Sequence, residues 1–166
     1  MESFRQKDKS MKFSNKLILA SLVVGLAGVS AAQAQEKRIQ RSDLPPAVEK
    51  TVAEQSKDAT IRGFSTEMEN GKRLYEVELT VNGHGKDISM TADGNIVEVE
   101  EQVSLDSLSA AVQAGLTKAA GTGTIAKIES ITKEGKLVAY EAVVKHGAKH
   151  SEVQVGPDGN KLDHEE

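Results

Sequence analysis

The chain has no cysteine and no tryptophan, and its 166 residues include only three phenylalanines and two tyrosines. Without thiols there can be no disulfide framework, no thiol nucleophile and no thiolate metal site, so packing alone must hold the fold. Phe4 and Phe13 lie near the N-terminus, leaving Phe64, Tyr75 and Tyr140 to serve a core that must otherwise be aliphatic. Apolar runs are also scarce: the one of note extends from Leu17 to Val29, shorter than the roughly 20 residues that span a bilayer. Gly25 and Gly28 interrupt it.

That run sits inside an export pattern. Arg5, Lys7, Lys9, Lys12 and Lys16 precede it and Ala32-Gln33-Ala34 follows, so residues 1–34 are expected to be a signal peptide cleaved after Ala34. An uncleaved N-terminal anchor is the alternative, and translation could start at either Met1 or Met11. The protein should then reside in the periplasm or outside the cell, meeting the membrane only during export. The whole chain carries 21 Lys and Arg against 25 Asp and Glu; the leader takes five and two of these, leaving 16 and 23, a net charge of −7. An acidic protein without clustered cations is a poor ligand for a phosphate backbone, so nucleic acid is excluded as a partner.

Beyond the leader, the segment from Leu44 to Asn95 recurs as Leu108 to Asn160. Leu44, Ala47 and Val48 return as Leu108, Ala111 and Val112, Gly71-Lys72 as Gly135-Lys136, Tyr75-Glu76 as Tyr140-Glu141, and Asp93-Gly94-Asn95 as Asp158-Gly159-Asn160. The repeated positions fall on helix, strand and turn signals alike, so the duplicated object is a fold and not a catalytic motif. The organisation expected is a linker over 35–42, one module over 43–103 and a second over 104–166 that ends in a short acidic tail.

Each module should open with an amphipathic helix. Asp43 and Ser107 stand as N-caps, Pro45 and Pro46 fit a first turn, and Ala47, Val48 and Val52 share a face, as do Leu108, Ala111, Val112 and Leu116. Gly121-Thr122-Gly123 is a helix stop; it follows a helix instead of opening one, which removes it as a phosphate loop. The period then becomes two: Tyr75, Val77, Leu79 and Val81 point one way and Glu76, Glu78 and Thr80 the other. Asn70-Gly71, Asn82-Gly83, Asp93-Gly94 and Asp158-Gly159 are hairpin turn pairs. Ile61/Phe64 and Ile125/Ile128 are three apart and break the alternation, which a β-bulge would explain. The expected class is α+β: two tandem modules, each a helix packed on one face of a roughly four-stranded antiparallel sheet.

The face away from the helix is where a partner could bind. In the first module it should display Glu76, Glu78, Asp87, Glu98 and Glu100, and a basic partner would gain by covering them. A merely solubilising surface is the other reading. The second module carries Ala139, Glu141, Val143 and Lys145 there, so the two copies differ in what they could bind.

Taken together, the export signal, the helix, the Tyr75-Glu76-Val77 strand and the closing Asp93-Gly94-Asn95-Ile96-Val97 turn resemble the PepSY and PepSY-like domains. Tyr140-Glu141-Ala142 and Val155-Gly156-Pro157-Asp158-Gly159 repeat the signature. The resemblance covers about Leu44 to Leu162. It implies a small extracytoplasmic module, often in tandem, associated with regulating or inhibiting peptidases and similar to the tandem fold of secreted β-lactamase inhibitor proteins. No catalytic residues come with it. The lack of cysteine and the few aromatics depart from those inhibitors and argue against β-lactamase itself as target.

His146 and His150 have the spacing of helical metal ligands but fall at a hairpin turn, and with His164, Asp163, Glu165 and Glu166 they would make a loose site at best; solvated histidines are the simpler reading. His84 sits between two glycines, in a turn. The Asp-Gly-Asn triplets lack the later ligands of a calcium loop. No serine has a nucleophile-elbow setting and no cofactor motif is present, so the reading is a non-enzymatic binding module for a protein or peptide, acting through the open sheet face or through an exposed strand edge to which an extended peptide could add. An envelope protein that binds a small ligand or a metal cation is the alternative.

Overall fold

The computed structural model describes residues 36–162, 164 and 166. The leader, its cleavage site and the tail residues Asp163 and Glu165 lie outside the described residues. Eight strands form one antiparallel sheet in which spatial order follows chain order: β1 (Lys37–Ile39), β2 (Thr60–Glu69), β3 (Lys72–Val81), β4 (His84–Thr91), β5 (Ile96–Gln102), β6 (Thr124–Lys133), β7 (Lys136–His146) and β8 (Lys149–Val155). Among the described residues two α-helices, α1 (Pro46–Gln55) and α2 (Ala110–Ala120), precede β2 and β6.

This corrects the expected class. The chain does not build two helix-plus-four-strand modules, because β5 and β6 pair from Glu98↔Lys133 to Gln102↔Glu129 and fuse the repeats into a single, mostly β architecture. Each module on its own would leave a bare strand edge with unpaired amides and carbonyls, and joining the edges satisfies both. The strands divide unevenly as well. Residues 37–39, which the sequence places in a linker, add to the edge of β2, whereas the second copy supplies only β6, β7 and β8.

Both helices cover the same face. Val99, packed against the first core cluster, lies opposite Thr132, which alternates in phase with Ile128 of the second. The first cluster joins Leu44, Val48 and Val52 to Phe64, Val77, Leu79, Ile88 and Met90; the second joins Leu108, Val112, Leu116 and Ala120 to Ile128, Ala142, Val144 and Val155. Tyr75 and Tyr140 point to the helix side as expected, but they are half-buried at the margins of these clusters. Apart from Phe64 the cores are aliphatic.

The bulges anticipated from the broken alternation are present: pairing shifts between Ile61 and Gly63 and between Ile125 and Lys127. The helix starts differ from expectation. Asp43 closes a 3₁₀ turn, Arg41–Asp43, accepting the Gln40 amide at 2.9 Å, and α1 begins after Pro45. Ser107 likewise ends a 3₁₀ turn, Leu105–Ser107, and the cap of α2 is Ser109, whose Oγ accepts the Val112 amide at 3.3 Å. In both copies an extended leucine, Leu44 or Leu108, separates the 3₁₀ turn from the helix and drops into the core, which is why the cap falls later.

Candidate functional site

Strand alternation places Glu76 and Glu78 on β3 and Asp87 on β4, facing away from the helices, together with Glu98 and Glu100 on β5. Register makes rows of them. Glu78 lies opposite Asp87 and Asp87 opposite Glu100, so three carboxyls on adjacent strands stand side by side; in the next row Glu76 and Glu98 flank Ser89. Directly opposed like charges at cross-strand spacing repel. The structure thus brings together all five residues singled out in the sequence.

It also adds Glu129, Ile131 and Lys133, which the sequence did not point to, and joins to the first copy's acids the Ala139 and Glu141 expected on the second copy's own face. β6 continues the face with Glu129, Ile131 and Lys133, and β7 with Ala139 and Glu141, because Glu100 pairs with Ile131 and Gln102 with Glu129, which in turn faces Glu141. Nothing in the sequence announced the β5–β6 pairing that puts the second copy's acids beside those of the first. The bulge in β6 further hid which of its residues face this way.

The face is more enclosed than an open, solvated sheet: Glu78 is 9% exposed and Glu129 5%. Cations from neighbouring strands lie over part of it. Arg62 on β2 pairs with Asp87 at 2.6 Å and with Glu78 at 3.9 Å, and Arg38 on β1 also meets Glu78. Gly63 has no Cβ to obstruct the Arg38 guanidinium. Lys127 Nζ lies 2.6 Å from Glu129 Oε1; the angle there is not that of a hydrogen bond, and the contact is an ion pair. Lys133 reaches Glu98 at 3.7 Å. No cation pairs with Glu100 among the described residues.

The titration of these groups follows from this imbalance. Burial, then Glu129 and Glu98, push the Glu100 carboxyl up to about 8. Burial, then Asp87 and Glu36, push Glu76 up to about 7. Asp87 is raised by burial, against the opposing pull of Arg62. Glu76 also accepts a 3.4 Å hydrogen bond from Ser65 Oγ, and Glu141 one of 2.8 Å from Gln154 Nε2.

Two trios have ligand oxygens within 4.8 Å of one another: Glu36, Glu76 and Glu78, and Asp87, Glu100 and Glu129. Such all-oxygen sets suit a hard divalent cation. Arg38, Arg62 and Lys127 already compensate members of both. Next to the acids, the face turns apolar. Leu74, Ile131 and Ala139 are buried there, and a cavity of about 500 Å³ opens beside Leu74, Thr91, Val97, Glu98, Lys133 and Val138.

The histidines lie elsewhere. His146 pairs with Lys149 and His150 with Lys145 at the end of the β7–β8 hairpin, and His84 opens β4 opposite Val81. The Asp-Gly-Asn triplets are turns: Asn95 Nδ2 donates to Asp93 at 2.6 Å and Asn160 Nδ2 to Asp158 at 2.8 Å. Among the described residues no helix is long and apolar enough to cross a membrane.

No family model matches the chain, and no curated protein is detectably similar to it. Solved structures do share its fold. A Bacteroides eggerthii protein described as periplasmic superposes with a TM-score of 0.58 at 16% identity, over 72% of this chain and 86% of that one. A DUF2874 family protein from Bacteroides ovatus gives 0.56 at 18% identity, over 72% and 85%. A BLIP-like protein from Bacteroides fragilis gives 0.51 at 16%, over 70% and 81%. The fold is therefore BLIP-like.

Proposed function

We propose that the protein is a non-enzymatic binding module of the cell envelope whose acidic sheet face, carrying Glu76, Glu78, Asp87, Glu98 and Glu100, takes up a protein or peptide with a basic surface. The observation that carries this reading is the row Glu78, Asp87, Glu100, with Glu76 and Glu98 beside it, on a face where carboxyls outweigh the cations that reach them. A lysine or arginine of a partner would complete the pairing, and the neighbouring apolar patch at Leu74, Ile131 and Ala139 would receive non-polar contacts.

The protein is periplasmic or extracellular. The basic leader with its short apolar run and small-residue site supports export, and two of the solved relatives belong with this reading, one described as periplasmic and one as BLIP-like. A tandem PepSY-like ancestry and a role as peptidase modulator remain part of the proposal, supported by the repeated Tyr-Glu and Asp-Gly-Asn signatures. The second reading, a cation-binding envelope protein, is favoured by the two carboxylate trios.

Replacing Glu76 and Glu98 together by lysine tests the first reading. The variant should keep the wild-type circular dichroism, yet its association with a basic envelope protein captured by the wild type should slow by about tenfold at low ionic strength, with most of the difference lost in high salt. Equal association rates at low ionic strength would return the face to a solubilising role. A calorimetric response to calcium without any protein partner would favour the second reading.

A further inference from the structure

We infer that the acidic face exchanges protons for its partner's cation: Glu100 and Glu76, set among the carboxyls of Glu78, Asp87 and Glu129, hold protons while the face is empty and release them when a lysine or arginine side chain enters. This rests on the basic-partner reading above and concerns how that binding is regulated.

The geometry leaves one carboxyl uncompensated. Asp87, Glu100 and Glu129 bring oxygens within 4.8 Å of one another, but Arg62 serves Asp87 and is shared with Glu78, while Lys127 serves Glu129. Glu100, in the middle of the strand order, has no ion pair among the described residues. Three carboxylates cannot all remain charged at this spacing in a half-buried place with two cations at the margin. A proton is the simplest compensation available to the empty protein.

The surrounding groups reinforce this from every side. Glu67 faces the cluster from β2, Glu36 from the segment before β1, Glu98 from β5 with Lys133 as its partner, and Glu141 from β7 with Gln154 as its hydrogen-bond donor. Arg38 from β1 is engaged by Glu78. The one histidine in register with this face, His150, sits opposite Lys145 at the far hairpin end. Burial and these acids hold Glu100 at about 8 and Glu76 at about 7, so at neutral pH Glu100 carries its proton and Glu76 is about half protonated. An arriving ammonium or guanidinium reverses the balance: each carboxyl loses its proton to solvent and becomes a charged acceptor for the incoming group.

Binding should therefore tighten as pH rises, and hexalysine peptide with an acetylated N-terminus serves as the cationic probe because its side-chain ammoniums stay charged between pH 6 and pH 8 and it has no α-amino group to titrate there. Calorimetry in two buffers of different ionisation enthalpy should show release of roughly one to two protons per complex at pH 7, with affinity rising about a hundredfold or more from pH 6 to pH 8. Glu100→Gln, which keeps the shape of the side chain, should remove more than half of that proton release and flatten the profile to about tenfold, the rise that Glu76 contributes alone. In the free protein, carboxyl-carbon NMR should place the Glu76 and Glu100 midpoints near 7 and 8.

Midpoints in the ordinary carboxylate range would overturn the exchange without reference to any partner. Hexalysine binding that is equal at pH 6 and pH 8, with buffer-independent heat, would overturn the exchange and leave the acidic-face reading standing. Absence of hexalysine binding at pH 8 and low salt would overturn both, and proton release driven by calcium but not by hexalysine would transfer the site to a metal ion.

Discussion

Gly94 and Gly159 show what a single residue contributes here. Each occupies the same place in the repeated Asp-Gly-Asn turn, with φ of +81° and +80°, and each brings its backbone against the opening turn of its helix. A Cβ on Gly94 would stand 2.6 Å from the Ala47 carbonyl oxygen, and one on Gly159 would collide with that of Ala111. Thr51 Oγ1 donates to the Gly94 carbonyl at 2.8 Å, tying turn to helix. Alanine at either site should cost about 2–4 kcal/mol in urea unfolding, from positive φ and overlap together; a cost below about 0.5 kcal/mol would show that the turn is not docked as described. The sequence made these glycines legible as turn residues, because Asp-Gly has its own local chemistry. It could not reveal the close approach to the helix, which depends on tertiary packing. The tyrosines teach the converse: scarcity of aromatics suggested that Tyr75 and Tyr140 fill the cores, yet aliphatic side chains do so and the rings stay at the edge.

Glu100 carries a prediction at the same scale. Its carboxyl is raised in the folded protein, to about 8 from the ordinary 4.5, so the folded state holds the proton more tightly than the unfolded one. The associated stability is fully present below about pH 4.5 and is lost as pH rises through about 8. Glu100→Gln should therefore match the wild type in denaturant unfolding at pH 5 and exceed it at pH 9, by on the order of 2 kcal/mol once partial exposure is allowed for. A variant less stable than wild type at pH 9 would mean that the charged carboxylate is compensated by something other than a proton.

At the scale of elements, the sequence showed strand phase well and boundaries poorly. Tyr75, Val77, Leu79 and Val81 share the helix-facing side, and the three-residue spacings at Ile61/Phe64 and Ile125/Ile128 do mark bulges. Alternation survives because burying one face imposes it on every residue of a strand. Helix starts were misplaced because Asp43 and Ser107 have the right chemistry for a cap but use it in a 3₁₀ turn. Ser109→Ala should accordingly destabilise the protein by about 0.5–1 kcal/mol, and Ser107→Ala by clearly less, when both are compared by chemical denaturation. The reverse ranking would restore Ser107 as the cap. Strand β1 escaped notice altogether: Lys37, Arg38 and Ile39 are too few to show a period, and the backbone pairing that holds them leaves no side-chain signature.

The whole molecule is where the repeat misled. Two copies of one pattern suggest two closed units, whereas the strand edges they leave bare pair as β5 and β6 in one sheet. That joint decides the chemistry of the candidate site, since it sets Glu129 and Glu141 beside Glu100 and carries the apolar patch of Ile131 and Ala139 next to the acids. The five carboxyls of the first copy, and Glu141 and Ala139 of the second, were legible from alternation; Glu129, Ile131, the juxtaposition of the two copies and the arginines and lysines that partly neutralise the face required the register. Amide NMR shift mapping of hexalysine binding at pH 8 and low ionic strength tests the central claim most directly. The account predicts perturbations on β3, β4, β5 and β6 centred on Glu76, Asp87, Glu100 and Glu129, with α1 and α2 silent; perturbations confined to the helices or to the β8 edge would contradict it.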